Sequence, residues 1–245
     1  MFKTTFFAGT SGLLTSLPKR DFPKEYQDRS RLGFYALQEN SIEINSTFYK
    51  LPQAKTISRW VTEVPDDFRF TFKLWKEVTH QKHLGFRQED IEAFFHSISG
   101  AADHRGCLLV QFPPSLKVDS LPQFKALLPL LTASKWKVAV EFRHASWYQD
   151  QIYEYLNAQN AALVIQDMPK SATPLELTTD DLVYLRFHGP GGSYKGSYSN
   201  EILTEYAEYI NEWQEEGRTV YVYFNNTAGA ALNNLQTLKS ILRNH

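Results

Sequence analysis

The chain has 245 residues, 42% of them hydrophobic and 22% charged, and its net charge of −1 supplies no global field for nucleic acid, so any basic contact surface must be local. The single Cys107 excludes an internal disulfide and fits a reducing compartment, and its apolar neighbours in CLLVQF read as a buried, unreactive thiol. No run is long enough to span a membrane and MFKTTFFAGTSG makes a poor signal peptide, so a cytoplasmic protein with no membrane partner is expected.

In chain order, the first strand is read over residues 4–9, followed by the small-residue turn Gly9-Thr10-Ser11-Gly12, which could cradle an anion but is weak evidence alone. A helix is expected over 24–39. Residues 41–48, SIEINSTF, read as the second strand, with Ile42 and Ile44 on one face and Glu43, Asn45 and Thr47 on the other. A helix over 53–63 follows Pro52. The third strand, 68–74, puts Arg69, Thr71 and Lys73 on one face, and WKEVTHQKHLGFRQ after it is too polar and irregular for core. Then come a helix over 89–99, a fourth strand over 107–112 with Leu109 and Gln111 sharing a face, and a helix over 121–132.

The stretch 138–147, VAVEFRHASW, reads as a strand running into its own chemistry. Val138, Val140 and Phe142 form one face; Ala139, Glu141 and Arg143 form the other, and His144 and Trp147 close it. Charges removed from water cost several kcal/mol unless paired, so a strand that buries Glu and Arg together needs a reason for them. Helix 146–158, strand 162–167 and a helix-free link come next. Strand 182–188 places Tyr184, Arg186 and His188 on one face before the glycine-rich HGPGGSYKGSYS. Helix 200–216, strand 219–225 with Tyr221, Tyr223 and Asn225 on one face, and helix 229–242 complete the chain.

Eight strands alternating with about seven helices, roughly 20 to 40 residues apart, indicate parallel βαβ units. With no linker among them, they are expected to close as one domain over 1–245, a TIM-barrel-like (β/α)8 barrel whose crossover between strands 6 and 7 lacks its helix. An open doubly wound sheet is the alternative, but G-x-G-x-x-G after the first strand is absent. If the apolar parity of each strand faces the helices, the other parity gathers Glu43, Asn45, Lys73, Gln111, Glu141, Arg143, Arg186, His188, Tyr223 and Asn225 at one mouth. Each has a structural reading as well: Lys73 or Arg143 as partners of Glu43 or Glu141, the amides as satisfiers of strand ends, His188 as a bonded core histidine.

EINSTFY, LVQFPPSL, EFRHASW, YLRFHGP with Y-x-G-x-Y-S, and YFNNTAGAAL-x-N resemble the YecE-like family (domain of unknown function 72) over essentially the whole chain. The resemblance implies a TIM barrel with a polar pocket at its mouth, and no activity. It carries over to Glu43, Asn45, Thr47, Tyr49, Lys73, Gln111, Glu141, Arg143, His144, Trp147, Arg186, His188, Tyr198, Asn225 and Asn226. One departure is the segment after GTSG: family members continue with Trp and further aromatics, whereas this chain has Leu13-Leu14-Thr15 and a short loop.

The leading functional expectation is an enzyme acting by acid/base chemistry on a small anionic or sugar-like, and in one version phosphorylated, substrate. Glu141 or Glu43 would be the base, His188 or Lys73 the acid, and Arg186 with Arg143 an anion clamp; the two carboxylates keep a glycosidase open. Binding falls to Asn45, Gln111, Arg143, Trp147, Arg186, Tyr198, Tyr223, Asn225 and Asn226, with the loops after strands 7 and 8 offering backbone N–H groups to an anion. A nucleic-acid protein is the second reading, resting on Lys76, His80, Lys82, His83 and Arg87 with Trp75, Trp147, Tyr194 and Tyr198 as stackers. A ligand-binding module without turnover is the third. No metal-ligand spacing appears, so no cofactor is expected, with a single carboxylate-bound Mg²⁺ left open. The sequence does not set the oligomeric state.

Overall fold

The computed structural model describes residues 5–244; Thr4, the first residue of the expected first strand, lies outside the described residues. Eight strands run parallel: β1 (Phe6–Thr10), β2 (Ser41–Ile44), β3 (Arg69–Lys73), β4 (Arg105–Gln111), β5 (Lys137–Glu141), β6 (Ala161–Gln166), β7 (Leu182–Phe187) and β8 (Thr219–Phe224). Their order is β1-β8-β7-β6-β5-β4-β3-β2, which brings β1 and β2 to the two sides of one seam. Between the strands lie α1 (Arg31–Tyr35), α2 (Ser46–Tyr49), α3 (Ala54–Val61), α4 (Lys76–Thr79), α5 (Gln88–Ser97), α6 (Leu121–Thr132), α7 (Asp150–Ala158), α8 (Asn200–Glu215) and α9 (Ala231–Asn244). This is the (β/α)8-type barrel, and the β6–β7 link indeed has no helix. Among the described residues no helix is long and apolar enough to cross a membrane.

Side chains close the β1–β2 seam where the backbone ladder does not. Asn40 Nδ2 donates to Phe6 O at 2.8 Å, and its Oδ1 accepts from Ala8 N at 2.9 Å. Tyr35 OH accepts from Thr10 N at 2.8 Å and donates to Ser41 O at 3.0 Å. One backbone bridge, Ser11 with Glu43, completes the join at the C-terminal end. Gly9 is required here because a Cβ would stand 2.0 Å from Ser41 O.

Strand parity divides the core as alternation predicts. Ile42, Phe70, Phe72, Leu108, Val110, Val138, Val140 and Phe142 face the helices, and Val183, Leu185, Val220, Val222 and Phe224 do so on the other side. Phe7, Cys107, Leu109, Ala139, Ala162, Val164, Tyr184, Tyr221 and Tyr223 fill the barrel interior. Buried Cys107, its thiol pKa pushed up by desolvation, is as inert as its neighbours suggest.

Three local expectations are corrected. The strand read over 41–48 stops at Ile44, and Ser46–Tyr49 turn into α2, with Thr47 Oγ1 donating to Ile44 O and Lys73 O at 3.0 and 2.7 Å. The helix read over 24–39 is a single 3₁₀ turn at Lys24–Tyr26 and then α1, which starts where Ser30 Oγ accepts from Gly33 N. The segment after β3 does contribute to the core: Val78 and Leu84 are buried, although Lys76, His80, Lys82 and His83 stay exposed.

Candidate functional site

The C-terminal ends of the strands hold a charged network that crosses the barrel. Arg186, on β7, sends Nε and Nη2 to Glu43 on β2, to Oε2 at 2.9 Å and Oε1 at 2.7 Å. Its Nη1 donates to Glu141 Oε2, on β5, at 2.5 Å. Tyr184 OH adds a third donor to Glu43 at 2.6 Å, and Arg143 Nε bonds Glu141 Oε1. Glu43, Glu141, Arg186 and His188 are each 2% exposed or less. Desolvation alone would raise both carboxylate pKa values, but the guanidinium charges outweigh it, Arg186 for Glu43 and Arg143 then Arg186 for Glu141, and hold both below the usual range.

His188 is locked by the same groups. Arg143 Nη2 lies 2.8 Å and Arg186 Nη1 3.1 Å from its Nε2. Both neighbours are obligate donors, so Nε2 carries the lone pair and Nδ1 the proton, an assignment made from the hydrogen-bond network. Burial first, with the nearby guanidinium charges added, lowers the imidazole pKa, although Asp167 acts the other way. The neutral tautomer then points Nδ1–H toward Asp167 Oδ1, 3.4 Å away but too poorly aligned for a hydrogen bond. That oxygen instead accepts from His188 N at 2.7 Å, while Tyr198 OH donates to Oδ2 and accepts from Gly189 N at 2.5 Å.

Lys73, at the end of β3, differs from the two arginines. Among the described residues no carboxylate lies within ion-pair distance of its ammonium, which donates to the neutral Gln111 Oε1 at 2.6 Å and sits 4.1 Å from the centre of the Phe48 ring. Desolvation, with the charge of Arg186 next, brings its pKa down to about 8 against the opposing pull of Glu141 and Glu43. It is the site group whose proton is exchangeable near neutral pH.

Polar atoms without partners mark the same end of the barrel. Among the described residues, the buried side-chain atoms with no hydrogen-bond partner are Ser11 Oγ, Asn45 Oδ1, Trp75 Nε1, His188 Nδ1 and Asn226 Oδ1. Each belongs to a residue one or two positions past the C-terminal end of β1, β2, β3, β7 or β8. Stranding a buried polar atom costs roughly 1–3 kcal/mol, so five at one end of the fold need an explanation.

The expected residues divide accordingly. Glu43, Lys73, Gln111, Glu141, Arg143, Arg186 and His188 come together; Asn45 and Asn225 follow the ends of β2 and β8, and Asn226 is buried, its Nδ2 donating to Gly196 O and to Asn234 Oδ1 on α9. Tyr223 sits below them, its hydroxyl 2.5 Å from Ser41 Oγ and 2.7 Å from Thr71 Oγ1, holding the barrel interior. Trp147 does not join the site: it is fully buried, stacked on Phe142 at 4.5 Å, with Nε1 donating to Leu116 O. His144 Nδ1 accepts from Ser146 N and so shapes its own turn. Tyr198 reaches the site only through Asp167. The loops after β7 and β8 are tied to each other, with Ala228 N on Tyr194 O, Ala230 N on Gly196 O and Asn226 Nδ2 on Gly196 O, so these N–H groups are not open to an anion. Burial removes Trp147 and Tyr198 as stacking surfaces, and Arg87 is bound by both carboxylate oxygens of Asp90. Among the described residues no three His, Cys, Asp or Glu side chains are grouped to hold a metal ion.

The residues expected at the site from the sequence did not include Asp167 or Tyr184. Tyr184 has the inward parity of Arg186 and was readable. Asp167 follows Gln166, the inward residue that ends β6, so only the turn beyond the strand aims its carboxylate at His188.

Residues 9–245 match the family described as "Protein of unknown function DUF72". The chain is similar to the UPF0759 protein YunF of Bacillus subtilis (strain 168), 27% identical over 252 residues and covering 89% of each. It is also similar to the UPF0759 protein YecE of Escherichia coli (strain K12), 31% identical over 137 residues, which are 54% of this chain and 48% of that protein. Among solved structures, a DUF72 family protein from Enterococcus faecalis superimposes with a TM-score of 0.82 at 23% identity, covering 97% of this chain and 95% of that one. One from Thermotoga maritima gives 0.76 at 28% identity, covering 98% and 99%.

Proposed function

Because the chain belongs to the DUF72 family, whose description leaves its activity open, we propose a function from the barrel mouth itself: an enzyme that binds a small polyhydroxylated, sugar-like molecule and moves a proton on it. The unpartnered atoms at the strand ends carry this reading. Trp75 Nε1 is a donor, Asn45 Oδ1 and Asn226 Oδ1 are acceptors, and Ser11 Oγ is both, whereas His188 Nδ1–H is turned to Asp167. Hydroxyl groups donate and accept, so a polyol can answer such a mixed set; an inorganic anion, which is chiefly an acceptor, matches it poorly. The charges support the same choice. Glu43, Glu141 and Asp167 offset Lys73, Arg143 and Arg186, and His188 is neutral, so the mouth carries no excess of positive charge.

Roles follow from protonation. Glu43 and Glu141 are ionised and bonded to arginines, which makes them holders of Arg186 and Arg143 rather than bases. Arg186 commits four of its five N–H donors to those carboxylates and to His188 Nε2, which leaves it no pair of donors with which to clamp an anion. Lys73 is the proton-transfer group, with Gln111 positioning it and Phe48 offering an apolar face to sugar C–H bonds. Thermal unfolding and ligand-observed NMR with aldoses, ketoses, alditols and inorganic phosphate test this. A polyol should stabilise the protein, by about 2.7 kcal/mol at 100 times its Kd, and Asn45→Ala should weaken its binding about tenfold, the loss of one good hydrogen bond. Stabilisation by inorganic phosphate with no response to any polyol would overturn the proposal.

A further inference from the structure

Lys73 has a chemistry that proton transfer does not exhaust. We infer that its Nζ is an amine nucleophile and that the substrate presents an aldehyde or ketone, with which Lys73 forms a Schiff base at the mouth of the barrel. The inference rests on the polyol reading of the mouth and names the reacting group of that substrate.

The geometry points this way on three counts. Lys73 stands at the C-terminal end of its barrel strand, where Trp75 follows it two residues on and Asn45 follows the end of the paired strand β2, both with an unpartnered buried polar atom. It lacks the carboxylate partner that would keep it an ammonium, since its hydrogen bond goes to an amide oxygen. Its other close neighbour is the Phe48 ring, which covers the amine on one side. The charges acting on it are Arg186 and Arg143, which favour the neutral amine, and Glu141 and Glu43, which oppose them; desolvation exceeds each and leaves the pKa at about 8. A structural lysine would be expected to pair with Glu43 or Glu141, yet both are taken by arginines.

The step balances without a cofactor. Neutral Lys73 Nζ adds to the carbonyl carbon, and its lone pair becomes the new C–N bond as the C=O π pair moves to oxygen. Proton transfer from nitrogen to oxygen gives a carbinolamine. Loss of the hydroxyl as water, with one further proton, leaves the protonated imine, so that overall R–NH₃⁺ and O=C become R–NH⁺=C and H₂O. The iminium then withdraws electrons from the adjacent carbon, which suits proton abstraction or C–C bond cleavage next to a carbonyl.

Trapping with a small hydroxycarbonyl compound tests it. The full-length protein is incubated at pH 7 with glycolaldehyde or dihydroxyacetone. Binding is read by ligand-observed NMR, sodium cyanoborohydride is added to reduce any imine, and peptide mapping locates the product. Lys73 should be labelled first, faster than the exposed lysines by about tenfold or more, because a pKa near 8 leaves far more free amine at pH 7 than an ordinary lysine has. Lys73→Arg, which keeps the charge but has no primary amine, should lose this label while its thermal unfolding stays close to that of the wild type. Labelling spread evenly over surface lysines would overturn the inference. Saturable binding without label on Lys73 would also overturn it and leave the polyol site standing, whereas absence of both binding and label would remove that site too.

Discussion

Arg186 joins two carboxylates that solvent does not reach, so its contribution is measured by what its removal would strand. Breaking a buried pair costs about 3–5 kcal/mol, more than the intact pair contributes over an apolar replacement. Arg186→Met should lose stability of that order in urea denaturation at pH 7; a loss below about 1 kcal/mol would mean that Glu43 and Glu141 are not held ionised by this guanidinium. His188 supplies a pH dependence of definite sign. Its folded pKa lies below the ordinary 6.5, so the unfolded chain takes up a proton that the folded one refuses. Stability should therefore fall as pH drops below 6.5, with a limiting slope of about 1.4 kcal/mol per pH unit for one proton. His188→Gln should flatten that slope between pH 6.5 and 5 whatever it does to the absolute stability. An unchanged slope would assign the dependence to another group.

At the scale of elements, the β1–β2 seam is the part of the barrel held by individual side chains. Asn40→Ala would leave Ala8 N and Phe6 O unpaired, at a combined cost of about 2–4 kcal/mol. Denaturation should show that loss, and hydrogen exchange at the Ala8 amide should accelerate with it; an Ala8 amide as protected as before would mean that backbone pairing holds the seam. This seam also marks where sequence reading ends. Period-two alternation located all eight strands and, through parity, put Glu43, Glu141, Arg186 and His188 on the inside, because inward and outward residues of a barrel strand obey the same rule along its length. Nothing in Asn40 or Tyr35 shows that they bond across to another strand, since those contacts depend on how the barrel closes. NSTF continues the alternation of β2 and still turns into α2, where Thr47 bonds Ile44 O. Trp147 lies in the site motif and yet stacks into the core. Asp167 was missed because parity has no meaning once the strand has ended.

At the scale of the whole molecule, a chain of net charge −1 carries a mouth whose ionised groups also cancel, with Glu43, Glu141 and Asp167 against Lys73, Arg143 and Arg186. These charges act on one another at contact distance inside the protein, where salt screens weakly, and they leave little field for solvent. Binding of a neutral polyol at such a mouth should change less than about twofold between 50 and 200 mM salt. A nucleic-acid ligand would behave otherwise: six to ten phosphate contacts would cost about 10³ to 10⁵ in affinity over the same interval. Charge reversal of Lys82 and Arg87, both exposed on the loop after β3, separates the two further. It should leave polyol binding unchanged, because neither residue is among the groups that converge at the strand ends. Titrations of a bound polyol and of a mixed-sequence oligonucleotide at the two salt concentrations, with wild type and the reversed variant, make the comparison. Tight oligonucleotide binding that is steep in salt and lost on charge reversal would move the ligand from the mouth to that loop. Binding that is flat in salt, unchanged in the reversed variant and weakened about tenfold in Asn45→Ala would fix it at the ends of the strands.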